Sequence, residues 1–244
     1  KVGRKKEDKK PLMDLFKIRG GKPLHGEINV QGAKNEALQI LCATLMTPEA
    51  VTVHNLPLIR DVLKLISLLE GLGVEVTKKN HHTYTFKANE INLDYLSSKE
   101  FRKTGSSIRG SVMILGPLLA RFKKGIAARP GGDKIGRRRL DTHFLAFQKM
   151  GAGFNFDEEN SCFRIEADNL KGTFIHMEEP SVTGTANIVM AATMAEGTTT
   201  IYHAACEPYV QQLCRMLNAM GANISGIGTN KLQIEGVDSL GGCE

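Results

Sequence analysis

Apolar residues recur along this chain in a pattern that repeats three times. Leu58, Val62, Leu65, Ile66 and Leu69 stand at helical spacing, and so do Val210, Leu213, Cys214 and Leu217. Each run is followed by a glycine stop, Gly71-Leu72-Gly73-Val74 in the first case and Ala219-Met220-Gly221-Ala222 in the second. Between them Lys149-Met150-Gly151-Ala152 closes a third helix, with Asp141 as candidate N-cap and Phe144 and Leu145 on its inward face. Gly73, Gly151 and Gly221 are separated by 78 and then 70 residues.

A second kind of helix precedes each of these. Residues 34–45 carry Ala37, Leu38, Leu41 and Leu45; residues 107–120 carry Ile108, Val112, Leu115 and Leu119; residues 185–195 carry Ile188, Val189 and Ala192. These segments are apolar around nearly their whole circumference, which predicts burial on all sides. Pro117 removes one internal hydrogen bond and is a candidate kink. Residues 50–54 and 198–202 read as short strands, and 81–92 and 161–176 alternate as strands do. Two helices and several strands, three times over, predict an α/β fold: an inside-out domain of three pseudo-symmetric repeats with buried helices and outer sheets. Candidate helix starts at Gly32-Ala33-Lys34-Asn35, Gly105-Ser106-Ser107 and Ser181-Val182-Thr183-Gly184-Thr185 fall at corresponding places, and unpaired amides there favour anions.

Charge changes this picture little. The net +6 is concentrated in residues 1–10, which carry +4, so the body is nearly neutral. Such a tail reads as disordered and solvated rather than as a nucleic-acid arm, and no nucleic-acid partner is expected. No apolar run approaches the roughly 20 residues that cross a bilayer, and no secretory segment opens the chain. Cys42, Cys162, Cys206, Cys214 and Cys243 are odd in number and irregularly spaced, which fits neither a disulfide framework nor a zinc site. Reduced thiols in a cytoplasmic protein are the expectation. Absence of an initial Met and the abrupt Leu240-Gly241-Gly242-Cys243-Glu244 end lead us to expect a fragment.

The chemistry concentrates in Arg129-Pro130-Gly131-Gly132-Asp133-Lys134-Ile135-Gly136-Arg137-Arg138-Arg139. One carboxylate on a glycine-flanked loop is followed by four cations. Arginine forks hold phosphate or carboxylate oxygens through paired hydrogen bonds. Asp133 is either a salt-bridge partner or a proton donor to a bound anion.

Together these residues resemble the UDP-N-acetylglucosamine enolpyruvyltransferases. The resemblance runs from Phe16-Lys17-Ile18-Arg19-Gly20-Gly21 to Gly241. It takes in Gly32-Ala33-Lys34-Asn35, Arg109, Leu115-Gly116-Pro117-Leu118, Pro130-Gly131-Gly132, Ile135-Gly136, Arg138, Asp141, His143, Ser181-Val182 and Ala195-Glu196-Gly197-Thr198-Thr199. It implies a protein of two similar domains, each of three inside-out α/β units, with the active site in the cleft between them. On this basis residues 1–13 are a basic tail and 14–33 belong partly to the other domain. Residues 34–239 form a complete domain and 240–244 start a linker. The other domain is mostly absent and is needed for the complete site, so this chain alone is expected to be inactive.

The resemblance implies transfer of an enolpyruvyl group from phosphoenolpyruvate to the 3-hydroxyl of UDP-N-acetylglucosamine, with no cofactor or metal. It assigns Lys34 and Asn35 to phosphoenolpyruvate, Arg138 to its phosphate, and Arg109 to both substrates. Arg139, Leu140, Asp141, Thr142 and His143 would meet the nucleotide, and Ser181, Val182 and Thr183 the uridine diphosphate. Each has a plainer reading: Asn35 or Asp141 as a helix cap, Arg139 as a salt-bridge donor, His143 as a satisfied local contact. Two departures stand out. Glu178, Glu179 and Pro180 occupy a region where the family often has Lys or Arg. Asp133 stands where most members carry a cysteine that acts on phosphoenolpyruvate, which implies resistance to epoxides that alkylate that thiol. The alternatives are transfer to shikimate 3-phosphate, or a non-catalytic module that binds a UDP-sugar.

Overall fold

The structure, a computed structural model, describes residues 16–131 and 139–244. The chain divides into two units, Lys1–Val30 and Gln31–Glu244. In the first, residues 16–30 hold no helix or strand, and Phe16, Ile18, Leu24, Ile28 and Val30 are all exposed.

The second unit opens with α1 (Lys34–Ala43), which tightens into a 3-10 turn at Thr44–Met46, followed by β1 (Ala50–Val53), α2 (Arg60–Gly71), β2 (Glu75–Lys78) and β3 (Tyr84–Lys87). Next come α3 (Lys99–Gly105), a 3-10 helix at Arg109–Ile114, α4 (Leu115–Phe122), β4 (Lys124–Ala128), α5 (Asp141–Lys149), β5 (Gly153–Asp157) and β6 (Cys162–Glu166). The last third contains β7 (Phe174–His176), α6 (Val182–Ala192), β8 (Thr198–Tyr202), α7 (Pro208–Ala219), β9 (Asn223–Ser225) and β10 (Lys231–Glu235). Three sheets share one topology: the last strand of each repeat lies between the other two and pairs antiparallel with both, in the orders β1-β3-β2, β4-β6-β5 and β8-β10-β9. β7 adds a parallel strand to β8. The three-repeat inside-out α/β architecture expected from the pattern is the one observed.

Burial explains why the two helix types differ. In α6 every residue from Gly184 to Ala192 is buried, in α4 every residue from Leu115 to Ala120, and in α1 every residue from Ala37 to Ala43. The amphipathic α2 and α7 bury a single stripe, Val62, Leu65, Ile66 and Leu69 in one and Val210, Leu213, Cys214 and Leu217 in the other. Each fully buried Leu, Ile or Val contributes about 1.5–3 kcal/mol, so the all-apolar helices take the interior. Arg121 on α4 ties the first two repeats together, donating Nη1 to Leu45 O at 3.0 Å and to Ala88 O at 2.7 Å.

The three outer helices end identically. The amide of the glycine bonds three residues back, and the next amide five residues back. These bonds are Gly73 N to Glu70 O and Val74 N to Leu69 O, Gly151 N to Gln148 O and Ala152 N to Phe147 O, and Gly221 N to Asn218 O and Ala222 N to Leu217 O, all 2.9–3.0 Å. This is the Schellman arrangement, and it puts the glycines at φ of +97°, +96° and +106°. The domain closes on itself through its last residues. Thr52 N donates to Cys243 O at 2.9 Å and Thr47 Oγ1 to Leu240 O at 2.8 Å, so Cys243 lies parallel to β1 much as β7 lies on β8.

Several local expectations are corrected. Residues 107–120 are not one helix: Ile108 is extended, a 3-10 helix follows, and α4 begins only at Leu115. Pro117 therefore falls in the first turn of α4, where its missing N–H costs little. The Gly105-Ser106-Ser107 segment ends α3 instead of starting a helix. Asp141 is the first residue of α5, not its cap, because its carboxylate is taken by Arg139 Nε at 2.7 Å. Leu145 is 45% exposed. Successive helical residues point about 100° apart, and the inward stripe is taken by Phe144 and Phe147. The segment 161–176 divides into β6 and β7.

Gly221→Ala is expected to lower unfolding free energy by about 1 kcal/mol, the cost of a side chain at positive φ where space is otherwise open. Gly73→Ala is expected to cost more, because its new methyl also runs into the Glu90 carbonyl oxygen. Equilibrium urea denaturation of both variants checks the order.

Candidate functional site

The first residues of four helices and of the 3-10 helix line one open cavity of 640 Å³. Lys34 and Asn35 come from α1, Arg60 and Asp61 from α2, Arg109 from the 3-10 helix, Val182 and Thr183 from α6, and Tyr209 from α7. Helix starts present unpaired amides and the positive end of the helix dipole, and here they converge with Lys34, Arg60, Lys64 and Arg109. Such a surface is suited to anions bearing several oxygens. Asp61 is the acid among these residues, and its Oδ2 lies 3.2 Å from Lys34 Nζ.

Five of the residues singled out from sequence meet in this cavity: Lys34, Asn35, Arg109, Val182 and Thr183. Asn35 does not cap α1, whose N-cap is Ala33 with no side-chain bond. Ser181 caps α6, accepting from Gly184 N at 3.2 Å. Leu140 is the N-cap residue of α5. Arg139 donates to Asp141 and also lies 3.3 Å from Glu178 Oε2, while its backbone carbonyl accepts from Arg109 Nη2 at 3.2 Å. The hydrogen bond it donates to Asp141, with the charges of Asp141 and Glu178, raises the Arg139 pKa. Thr142 is buried, and among the described residues its Oγ1 has no hydrogen-bond partner. Asp133 and Arg138 lie outside the described residues.

His143 sits behind the cavity wall, fully buried. Its Nδ1 is 2.8 Å from Asn187 Nδ2 and its Nε2 is 3.2 Å from Thr183 Oγ1. Asn187 Oδ1 accepts from Gly116 N at 2.8 Å, and Asn187 Nδ2 donates to Val112 O at 2.9 Å. Burial, reinforced by the charge of Arg109, pushes the His143 pKa down to about 3. The ring is therefore neutral at ordinary pH. Burial also raises the thiol pKa values of Cys42 and Cys214, the latter to about 12, so neither behaves as a reactive thiolate.

Arg60, Asp61, Lys64, Tyr209 and Asn187 were not singled out from sequence. Charged residues in the first turn of an amphipathic helix look like any solvated face, and Asp61 meets Lys34 only across 27 residues. Asn187 carried a signal: an amide inside an otherwise apolar helix needs partners.

Residues 18–244 match the EPSP synthase (3-phosphoshikimate 1-carboxyvinyltransferase) family. The chain belongs to this family. Within it, the chain is 59% identical over 232 residues to the UDP-N-acetylglucosamine 1-carboxyvinyltransferase of Bacteroides thetaiotaomicron, covering 95% of this chain and 54% of that protein. The protein of the same description from Porphyromonas gingivalis is 53% identical over the same shares, and that of Treponema denticola 44% identical, over 95% and 53%. The resemblance read from the residues thus stands, and the chain spans about half the length of the curated relatives it matches. Two solved members of the fold are the enolpyruvyl transferase NikO from Streptomyces tendae and an EPSP synthase from Acinetobacter baumannii. The first has a TM-score of 0.72 at 19% identity, covering 91% of this chain and 51% of that one. The second has a TM-score of 0.68 at 20% identity, covering 89% and 48%. At such identity they show the enolpyruvyltransferase fold alone. No helix among the described residues is long and apolar enough to cross a membrane.

Because His143 is held well below its unfolded pKa, the unfolded chain binds the extra proton first as pH falls. Its contribution is complete above about pH 6.5 and is lost towards pH 3, at about 1.4 kcal/mol per unit. Between about pH 5.5 and 4.5, where the unfolded ring is protonated and the native one is not, urea denaturation is expected to show a slope steeper by about this amount in the native chain than in His143→Gln. Equal slopes would remove the argument for a neutral buried ring.

Proposed function

We propose that the whole protein transfers the enolpyruvyl group of phosphoenolpyruvate to the 3-hydroxyl of UDP-N-acetylglucosamine, releasing phosphate and making the first committed precursor of peptidoglycan in the cytoplasm. The observation that carries this reading is the convergence on one cavity of helix starts from all three repeats, with cations from the first two. Both substrates are polyanions, and the relatives at 44–59% identity carry this activity in their names. In this reading Lys34, Asn35 and Arg138 hold phosphoenolpyruvate, and Arg109 reaches both substrates. Arg139, Leu140, Asp141, Thr142, His143, Ser181, Val182 and Thr183 form or support the nucleotide side.

Asp133 acts as the acid. It protonates C3 of phosphoenolpyruvate while the sugar 3-oxygen bonds to C2, its proton passing to a carboxylate of the second domain. Loss of phosphate from the tetrahedral adduct, with a proton leaving C3, restores the vinyl group. A carboxyl group among cations is ionised at neutral pH, so the substrate's own negative charge and exclusion of water on closure must raise its pKa. No metal or organic cofactor enters these steps; stabilisation is electrostatic.

Residues 14–33 are assigned in part to the second domain, with 34–239 as the first and 240–244 leading into the linker. Support comes from the alternating, exposed Phe16 and Ile18 and Ile28 and Val30, which read as two strands with one apolar side each. With the remaining half of the protein in the same chain, amide hydrogen exchange over residues 16–30 is expected to slow at least tenfold. Unchanged exchange would return these residues to a tail.

Asp133→Asn in the full-length protein is expected to cut UDP-N-acetylglucosamine-dependent phosphate release by 100-fold or more, the usual scale for a lost general acid. Normal turnover in that variant overturns the role of Asp133. Release with shikimate 3-phosphate and none with UDP-N-acetylglucosamine would move the protein to the other branch of its family.

A further inference from the structure

The buried amide of Asn187 leaves no freedom in how it is oriented. Gly116 N–H can only donate, so the atom 2.8 Å from it must be the amide oxygen. Val112 C=O can only accept, so the atom 2.9 Å from it must be the amide nitrogen. Reversing the amide would set donor against donor and acceptor against acceptor. The second hydrogen of Nδ2 then points at His143 Nδ1, 2.8 Å away. Nδ1 must accept, which puts the one proton of the neutral imidazole on Nε2. Nε2–H in turn donates to Thr183 Oγ1 at 3.2 Å.

That last bond decides what Thr183 can offer. A hydroxyl that accepts from the ring keeps its own hydrogen, and Thr183 lines the cavity. With the opposite tautomer Thr183 would donate to the ring and present only lone pairs to a ligand, which repel phosphate oxygens. We propose that Asn187 is a positioning residue: it fixes His143 as the Nε2–H tautomer and thereby makes Thr183 a hydrogen-bond donor to a diphosphate oxygen of the nucleotide substrate. The assignment rests on the function proposed above for the identity of that substrate. It also answers the charge pattern upstream. Glu178 pairs with Arg139 and Pro180 has no N–H, so a donor hydroxyl at Thr183 supplies what no cation at 178–180 does.

Two measurements on the full-length protein test it. Nitrogen-15 NMR of labelled histidine is expected to show His143 with Nδ1 unprotonated and Nε2 protonated, the signals identified by their loss in His143→Gln. In steady-state assays Thr183→Val is expected to raise KM for UDP-N-acetylglucosamine about tenfold, the low end for a hydrogen bond to a charged group, with KM for phosphoenolpyruvate unchanged. Thr183→Ser is expected to restore it. Asn187→Ser, where it folds, should mix the tautomers and raise the same KM; where it does not, the tautomer and the Thr183 pair decide. An Nδ1–H tautomer, an unchanged KM in Thr183→Val, or equal losses in Thr183→Val and Thr183→Ser each overturn the proposal. If the unaltered protein does not turn over UDP-N-acetylglucosamine, the functional reading has failed and the diphosphate assignment falls with it. The tautomer assignment stands or falls on the NMR alone.

Discussion

A helix buried on every side has nowhere to send a polar group except to another part of the protein, and α6 carries Asn187 at its middle. Three bonds from that amide reach the 3-10 helix, α4 and α5, at 2.8–2.9 Å. Removing it would orphan a buried N–H and a ring nitrogen, each costing about 1–3 kcal/mol, and leave Val112 C=O with the Leu115 amide alone. The same bonds set the spacing of the core. Gly116 lies so close to α6 that a Cβ there would come within 2.5 Å of Asn187 O, so α4 and α6 touch backbone to backbone. The site depends on this arrangement, because Arg109 opens the 3-10 helix, His143 lies in α5, and Thr183 opens α6.

The outer layer follows from how its helices stop. Three Schellman turns at positive-φ glycines send the chain from α2, α5 and α7 into β2, β5 and β9 along equivalent paths. Each returning strand then fits between its two neighbours, giving the same strand order three times. Sheets outside and apolar helices inside bring helix starts from every repeat to a common face.

What could be read from the sequence was whatever repeats locally. Gly73, Gly151 and Gly221 marked the three units, and the continuous apolar character of α1, α4 and α6 marked the interior. The repeat placed Lys34, Asn35, Val182 and Thr183 at equivalent helix starts, but their assignment to one site with Arg109 came from family resemblance. What escaped was set over distance. Leu145 and Phe144 differ by one residue and face opposite environments; Asp141 gave up its cap to a neighbouring arginine. The Lys34–Asp61 pair and the Asn187–His143 bond span 27 and 44 residues. No local pattern encodes such contacts.

The charge in the cavity can be weighed in the same terms. Lys34, Arg60, Lys64 and Arg109 crowd one opening, and without an anion they repel one another. Asp61 relieves part of this by pairing with Lys34, at side-chain exposures of 38% and 47%. An ion pair so open to water is worth about 0–1 kcal/mol, too little to count as a device for stability. That weakness suits an entry site. Under the proposed function a polyanion entering the cavity would break the pair at small cost and replace one carboxylate with several oxygens. Lys34 would then be held near its place beforehand and free to change partner. A buried, fully satisfied pair would have been stronger and useless here, because several kcal/mol of binding would go to breaking it.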